Sequence, residues 1–240
     1  MIKRIFDTWK LNISELYGIL AVILGAEIFG IIIVAIILHF DETATTCATL
    51  GTMMAVFAGA LMNIVFGIVA FSYSFNTMVS WGSTRKEFLI VDSIIAYLNL
   101  AIEMVALLIL YFLETMLYKI LYADRECEDI IVFLADYRII LAIIFILPTI
   151  RMFCGALVLK FRKKASWFLW AMWIAVCVGL PNCISNAFEQ PNSLSGKVVH
   201  SVGSFVTGLP GIVQVACIVL TACVFVGGTV LLIRKQAVEA

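Results

Sequence analysis

Long apolar runs alternate along this chain with short polar segments, and the runs have the length of membrane-crossing helices. Six qualify: Leu16 to Leu38, Cys47 to Phe71, Phe88 to Leu113, Tyr137 to Leu159, Trp167 to Phe188, and about Leu209 to Ile233. A span needs about 20 mostly apolar residues to cross roughly 30 Å of hydrocarbon. Backbone groups in lipid must be satisfied within the segment, so runs this long are helices rather than barrel strands. The pattern predicts an all-α integral membrane protein with six transmembrane helices over residues 16–233 and a short tail at 234–240. Ahead of the first span, Ile2, Ile5, Phe6, Trp9, Ile13 and Leu16 keep to one helical face, with Lys3, Arg4, Asp7, Lys10 and Asn12 on the others. Residues 1–15 are therefore expected to form an amphipathic helix in the cytoplasmic interface, in preference to a cationic leader that only orients insertion. Residues 188–209 are half apolar and interrupted by glycine. They suit one or two short helices on the outer face, with a simple extended loop as the alternative.

Composition agrees with this class. Of 240 residues, 63% are hydrophobic and 13% charged, against about 45–50% apolar and about 25% charged in soluble domains. The formal net charge of zero conceals an asymmetry. Lys3, Arg4, Lys10, Arg85, Lys86, Lys160, Arg162, Lys163, Lys164, Arg234 and Lys235 fall on one side of the six spans, and only Lys119, Arg125, Arg138 and Lys197 on the other. By the positive-inside rule both termini are expected in the cytoplasm. The opposite side is acidic, with Asp41, Glu42, Asp124, Glu126, Glu128 and Asp129. Nothing in this distribution points to nucleic acid. The first span is too long for a signal-peptide core and lacks a small-residue cleavage site, so it is expected to stay as an uncleaved anchor. Seven cysteines, most of them in or at the ends of spans and none in a CxxC pair, indicate reduced packing residues rather than disulfides or a metal site.

Two spans carry unusual polar patterns. In the second, Gly51, Ala55, Gly59, Asn63 and Gly67 recur every fourth residue, a ridge of small side chains that lets helix backbones approach closely in lipid. Asn63 is placed to bond to a neighbouring helix or to face a solvated path. In the third, Asp92, Asn99, Glu103 and Glu114 share one face, and Glu27 and Arg151 are the other charges within spans. A charge at the bilayer centre costs at least about 2.5–3.5 kcal/mol on insertion scales, so such groups face the bundle or a watery cavity and find partners. Arg151 is expected to pair with Glu103 or Glu27. The set reads either as ion pairs that hold helices in register or as the lining of a translocation path. Pro148 and Pro181, the latter followed by Asn182 and Asn186, are expected to bend their helices.

The polar interruption from Phe75 to Phe88 holds Trp81, Arg85 and Lys86 between two spans. It reads as a short interfacial helix that docks to a soluble partner, or equally as a plain connecting loop whose basic residues fix topology. Catalytic motifs are missing. Ser195-Gly196-Lys197 has Pro191 where a phosphate-binding loop needs its first glycine and Val198 where it needs a hydroxyl residue, and there is neither HExxH nor GxSxG. The chain is expected to be a non-catalytic subunit without cofactor or metal. ATP hydrolysis, if it drives the protein, would reside on another chain.

Taken together, the amphipathic start, the six spans, the Trp81-Gly-Ser-Thr-Arg-Lys-Glu-Phe88 turn and the apolar segment between spans five and six resemble the permease subunits of bacterial ABC-2 type ABC transporters. The resemblance implies a multi-pass protein of the bacterial cytoplasmic membrane, working with a second permease, identical or homologous, and with separate ABC ATPase subunits that bind ATP and Mg. It implies that Trp81, Gly82, Ser83, Thr84, Arg85, Lys86, Glu87 and Phe88 form the coupling helix seated on the ATPase. Small size without a large outer domain looks most like exporters of peptides, including antimicrobial or amphipathic ones. The alternative is an ion- or proton-coupled carrier acting without an ATPase, with Glu27, Asp92 and Glu103 as relay groups. Residues 1–120 and 121–240 show no convincing similarity that would mark an inverted repeat.

Overall fold

The computed structural model describes residues 2–40, 46–122, 126–128, 136–175 and 208–234, with residues 179, 197, 201 and 204. Its elements are α1 (Ile2–Leu11), α2 (Ile13–Phe40), β1 (Thr46–Ala48), α3 (Leu50–Ser80), α4 (Arg85–Leu121), β2 (Glu126–Glu128), α5 (Tyr137–Phe161), α6 (Lys163–Ile174) and α7 (Gly211–Ile233). Among the described residues five helices, α2 to α5 and α7, are long and apolar enough to cross a membrane. Their outward faces are apolar: Leu24, Ile28 and Ile32 on α2 and Leu108, Ile109 and Phe112 on α4 are all exposed. In water such faces would be an aggregation liability, whereas in hydrocarbon they are the expected surface. This is the architecture of a multi-pass helical membrane protein. The fifth expected span, Trp167 to Phe188, is represented by α6 alone; its remainder, with Pro181, Asn182 and Asn186, most of the 188–209 segment, the acidic groups Asp41, Glu42, Asp124 and Asp129, and the tail beyond Arg234 lie outside the described residues.

The helices outrun their apolar cores. The second and third spans were expected to end at Phe71 and begin at Phe88, with a short interfacial helix or a plain loop between them, but α3 continues to Ser80 and α4 starts at Arg85. Two local signals make the join. Gly82 takes φ +81°, a left-handed conformation that suits glycine, and lets Ser83 N donate to Met78 O and Gly82 N to Val79 O, both at 3.0 Å. These two bonds close the last carbonyls of α3. Thr84 then starts α4: its hydroxyl accepts from Glu87 N at 3.2 Å while Thr84 N donates to Glu87 Oε2 at 3.0 Å, a reciprocal cap that satisfies two N-terminal donors.

A core at this end of the bundle joins α3, α4, α5 and α7 through Phe71, Phe75, Phe88, Met152, Leu159 and Ile233, with Ile5 and Trp9 of α1 packed against it. Phe88 stands edge-on to both Phe71 and Phe75, with ring centroids 5.0 and 5.2 Å away. Helices α5 and α7 lie side by side in the same direction. Arg138 Nη1 donates to Gln214 Oε1 at 2.9 Å near their starts, and Leu159 and Ile233 meet in the core near their ends. At the far end β1 and β2 form a three-residue parallel pairing, Cys47 opposite Cys127; an all-helical expectation missed this small clasp.

The small-residue ridge of α3 is buried along its whole length: Gly51, Ala55, Gly59, Asn63 and Gly67 all face protein. A Cβ at Gly59 would stand 3.0 Å from Ile23 of α2, and one at Gly51 would stand 2.9 Å from both Glu27 O and a Glu114 carboxylate oxygen. Gly30 on α2 completes the crossing. A Cβ there would fall under 3.0 Å from the backbone of Leu50 and Gly51, so the two helix backbones touch, as small residues in lipid allow.

Candidate functional site

Every residue expected along the polar path is buried: Glu27, Asn63, Asp92, Asn99, Glu103 and Arg151. They do not form one continuous path. They divide between an arginine-centred cluster near the N-terminal end of the bundle, a carboxylate cluster at the far end, and Glu103 between the two.

Arg151 of α5 pairs with neither Glu103 nor Glu27. Its partner is Glu15 in the first turn of α2, with Nη1 to Oε1 at 3.0 Å and Nη2 donating to Oε2 at 3.1 Å. The Nη2 contact is a hydrogen bond and the Nη1 contact an ion pair without hydrogen-bond alignment. The stem of Arg151 crosses α3 at Gly67, where any Cβ would fall under 3.0 Å from it. Thus the last small residue of the ridge makes room for the arginine. Asp92 and Glu103 of α4 also lie in its field; Asp92 is 1% exposed, and neither of its carboxylate oxygens has a hydrogen-bond partner among the described residues. Neutral bonds extend this cluster into the N-terminal segment: Trp9 Nε1 donates to Asn99 Oδ1 at 3.1 Å, and the amide of Asn12 exchanges bonds of 2.8 and 3.1 Å with the Ser74 hydroxyl. Helix α1 is therefore docked into the bundle, with Thr8 and Asn12 buried, rather than resting on a lipid surface alone.

Glu103 is held by Asn63. The Asn63 Nδ2 group donates to both carboxylate oxygens at 3.0 Å, so the mid-span asparagine does bond to a neighbouring helix.

At the far end Glu114 caps α3 from outside. Gly51 N donates to its Oε1 at 2.9 Å, and Thr52 N to its Oε2 at 2.8 Å. The residue preceding the helix, Thr49, makes no side-chain cap. A carboxylate from α4 thus satisfies two orphan donors and meets the positive end of the α3 dipole. The Thr52 hydroxyl lies 2.6 Å from Glu114 Oε2 and 3.3 Å from Glu27 Oε1, so the two acids share one hydroxyl.

Between these clusters lies a cavity of about 710 Å³ walled by α3, α4 and α5. Its lining is aliphatic apart from Glu103, Thr52 and Tyr111. Ser93 of α4 touches Met152 of α5 at 3.5 Å toward the N-terminal end, while the cavity runs from Leu100 to Tyr111 and from Ile140 to Ile150. The two helices therefore meet at one end and part toward the other.

The proposed coupling residues are split by the turn. Trp81 is 59% exposed and Thr84, Arg85 and Lys86 are also exposed, whereas Ser83 and Phe88 are buried. Phe88, expected within the coupling helix, packs inward against the core. Arg85 Nη1 donates to the carbonyl of Arg234 at the end of α7. Sequence reasoning missed Glu15, placed in the interfacial segment, and Gly30, one helix away from the ridge. Asn12 three residues before Glu15 is the pattern of a helix start, which would have moved Glu15 inside the span. The chain matches no family model, no curated protein and no solved structure.

Proposed function

We propose that this chain is the membrane-spanning permease subunit of an ATP-driven exporter of the ABC-2 type, moving a hydrophobic or amphipathic substrate with separate ATPase subunits and a second permease. The observation that supports it most is the α3–α4 turn. Its exposed side presents Trp81 beside Arg85 and Lys86, an aromatic and a pair of cations of the kind that anchor protein interfaces. Its inner side is locked to the core by Phe88 against Phe71 and Phe75. A push on this turn is delivered to α3 and α4, whose further reaches wall the cavity. Helix α1 abuts the same turn, with Asp7 and Thr8 lining a small recess together with Met78, Trp81 and Ser83, so the docking surface extends onto the N-terminal helix.

The six-span topology, with both termini in the cytoplasm of a bacterium, belongs to this proposal. It is supported by the parallel course of α5 and α7: between Phe161 and Gly211 the chain must travel back along the bundle, which calls for one more crossing. The basic residues of the α3–α4 turn, of Lys160 to Lys164 and of Arg234 then share one side, as the positive-inside rule requires.

The test is the double change R85E/K86E, made in the chain co-expressed with an ATPase encoded beside it. Loss of ATPase association and of stimulated transport is the expected result, with purified chain alone hydrolysing no ATP. Insertion is checked by protease accessibility, because two topology signals are removed, and Lys86→Glu alone leaves the Arg85 contact with Arg234 in place. Normal insertion with undiminished ATPase binding and transport would refute the coupling role. The carrier reading keeps one specific support, the buried Asp92 without hydrogen-bond partners; transport by the chain alone in proteoliposomes, driven by an ion gradient, would favour it.

A further inference from the structure

We propose that the cavity between α3, α4 and α5 binds a lipophilic cation, with Glu103 as its anionic anchor. This deepens the exporter reading by naming a substrate class, and it rests on that reading only for the fate of the ligand, not for its binding. Three observations carry it. The space, about 710 Å³, lies in the range of small-molecule sites, which are mostly apolar with a few placed polar groups. Among the described residues that line it there is no Lys, Arg or His, and Glu103 is the one charged side chain. Glu103 is also only partly used. A carboxylate offers about four acceptor positions, and Asn63 occupies two of them from one nitrogen.

Arg151, whose field reaches Glu103, is committed to Glu15, with Nη2 donating to Oε2 and Nη1 in ion-pair contact with Oε1. A buried carboxylate at an apolar wall attracts a positive group more strongly than it would in water. Aliphatic walls such as Leu107, Ile143 and Ile146 would take the apolar body of the ligand, whose burial is favourable in proportion to the apolar area removed from water. Thr52 and Glu103 lie at opposite ends of the space. Asn63, which holds Glu103, is eleven residues from Thr52 along α3, about 16 Å at helical rise, long enough for a ligand of several rings or an extended amphipath.

Tetraphenylphosphonium and tetraphenylborate are probes of matched shape and opposite charge. Their binding to the full chain in phosphatidylcholine nanodiscs is measured by equilibrium dialysis, with empty discs subtracted and no ATPase present. A failed ATPase contact therefore leaves this readout untouched. The wild type is expected to prefer the cation. Glu103→Gln, which keeps an acceptor for Asn63, is expected to weaken cation binding by about tenfold, equivalent to about 1.4 kcal/mol, without weakening the anion. Ala142→Phe, which fills the cavity from α5, should reduce binding of the cation while leaving Glu103 in place. Equal binding of the two ions, no binding above empty discs, or unchanged cation binding in folded E103Q or A142F would each overturn the proposal.

Discussion

The bundle buries acids at both ends and neutralises them in different ways. Near the N-terminal end Glu15 faces a guanidinium, and Asp92 sits in the field of the same arginine. At the far end, among the described residues, no cation bonds to Glu114; two backbone N–H groups and a hydroxyl do. The difference lies in what each end of α3 has to offer. The far end is a helix N-terminus with orphan donors and the positive pole of the dipole, so a carboxylate needs no side-chain cation there. Residue 67 is deep within the same helix, where backbone donors are spent on the helix itself, and a buried acid must find a charged side chain. Glycine enables both arrangements, Gly67 by making room for the arginine stem and Gly51 by letting the Glu114 carboxylate reach the backbone.

The largest effect should follow from removing Arg151. Arg151→Met leaves Glu15 and Asp92 buried without their counter-charge, and breaking a buried pair from one side typically costs about 3–5 kcal/mol. Thermal unfolding in detergent should show a large loss of stability or of folded yield. Neutralising the acids in the same background, as E15Q/D92N/R151M, should restore much of it, since replacing all members of a buried ionic group is often near neutral. A mild R151M would mean that the arginine does not balance this end.

A smaller effect is expected at the cap. Glu114→Leu strands the N–H groups of Gly51 and Thr52, and a buried unsatisfied donor costs about 1–3 kcal/mol. Hydrogen exchange at the first turn of α3 should accelerate, with the N-terminal end unaffected. Unchanged exchange would show that the helix start is held by packing at Gly30 and Gly51 instead, and the contrast between the two ends would lose its basis.

The contrast was partly legible in the residues. A fourfold ridge from Gly51 to Gly67 marks the buried face of α3, and a heptad-like spacing of Asp92, Asn99 and Glu103 marks that of α4; both rest on helical periodicity, which a chain displays locally. Partner choice is not local. Arg151 is 136 positions from Glu15, and no spacing within one helix indicates which acid on another will reach it. Glu15 was also hidden by its place before the apolar run, since hydropathy dates a span from its first apolar residue and not from its helical start. The same bias truncated α3 and α4 around the turn. There the capping pair Thr84 and Glu87 and the glycine at 82 were readable signals for two long helices meeting directly.

The finest prediction asks which acid owns the shared hydroxyl. Thr52 Oγ1 has one proton and two carboxylate neighbours, Glu114 Oε2 at 2.6 Å and Glu27 Oε1 at 3.3 Å. The distances assign the donation to Glu114. Thr52→Val keeps the shape and the backbone N–H bond to Glu114 while deleting the hydroxyl, so stability should fall by about 0.5–1.5 kcal/mol, the net worth of a single bond. Groups in contact do not contribute additively, and a double-mutant cycle isolates their coupling. If the hydroxyl serves Glu114, T52V should cost little in an E114L background, because its acceptor is already gone. If it costs as much there as in the wild type, the proton is directed to Glu27, and the far end is held by two separately satisfied acids instead of one capped carboxylate with a neighbour.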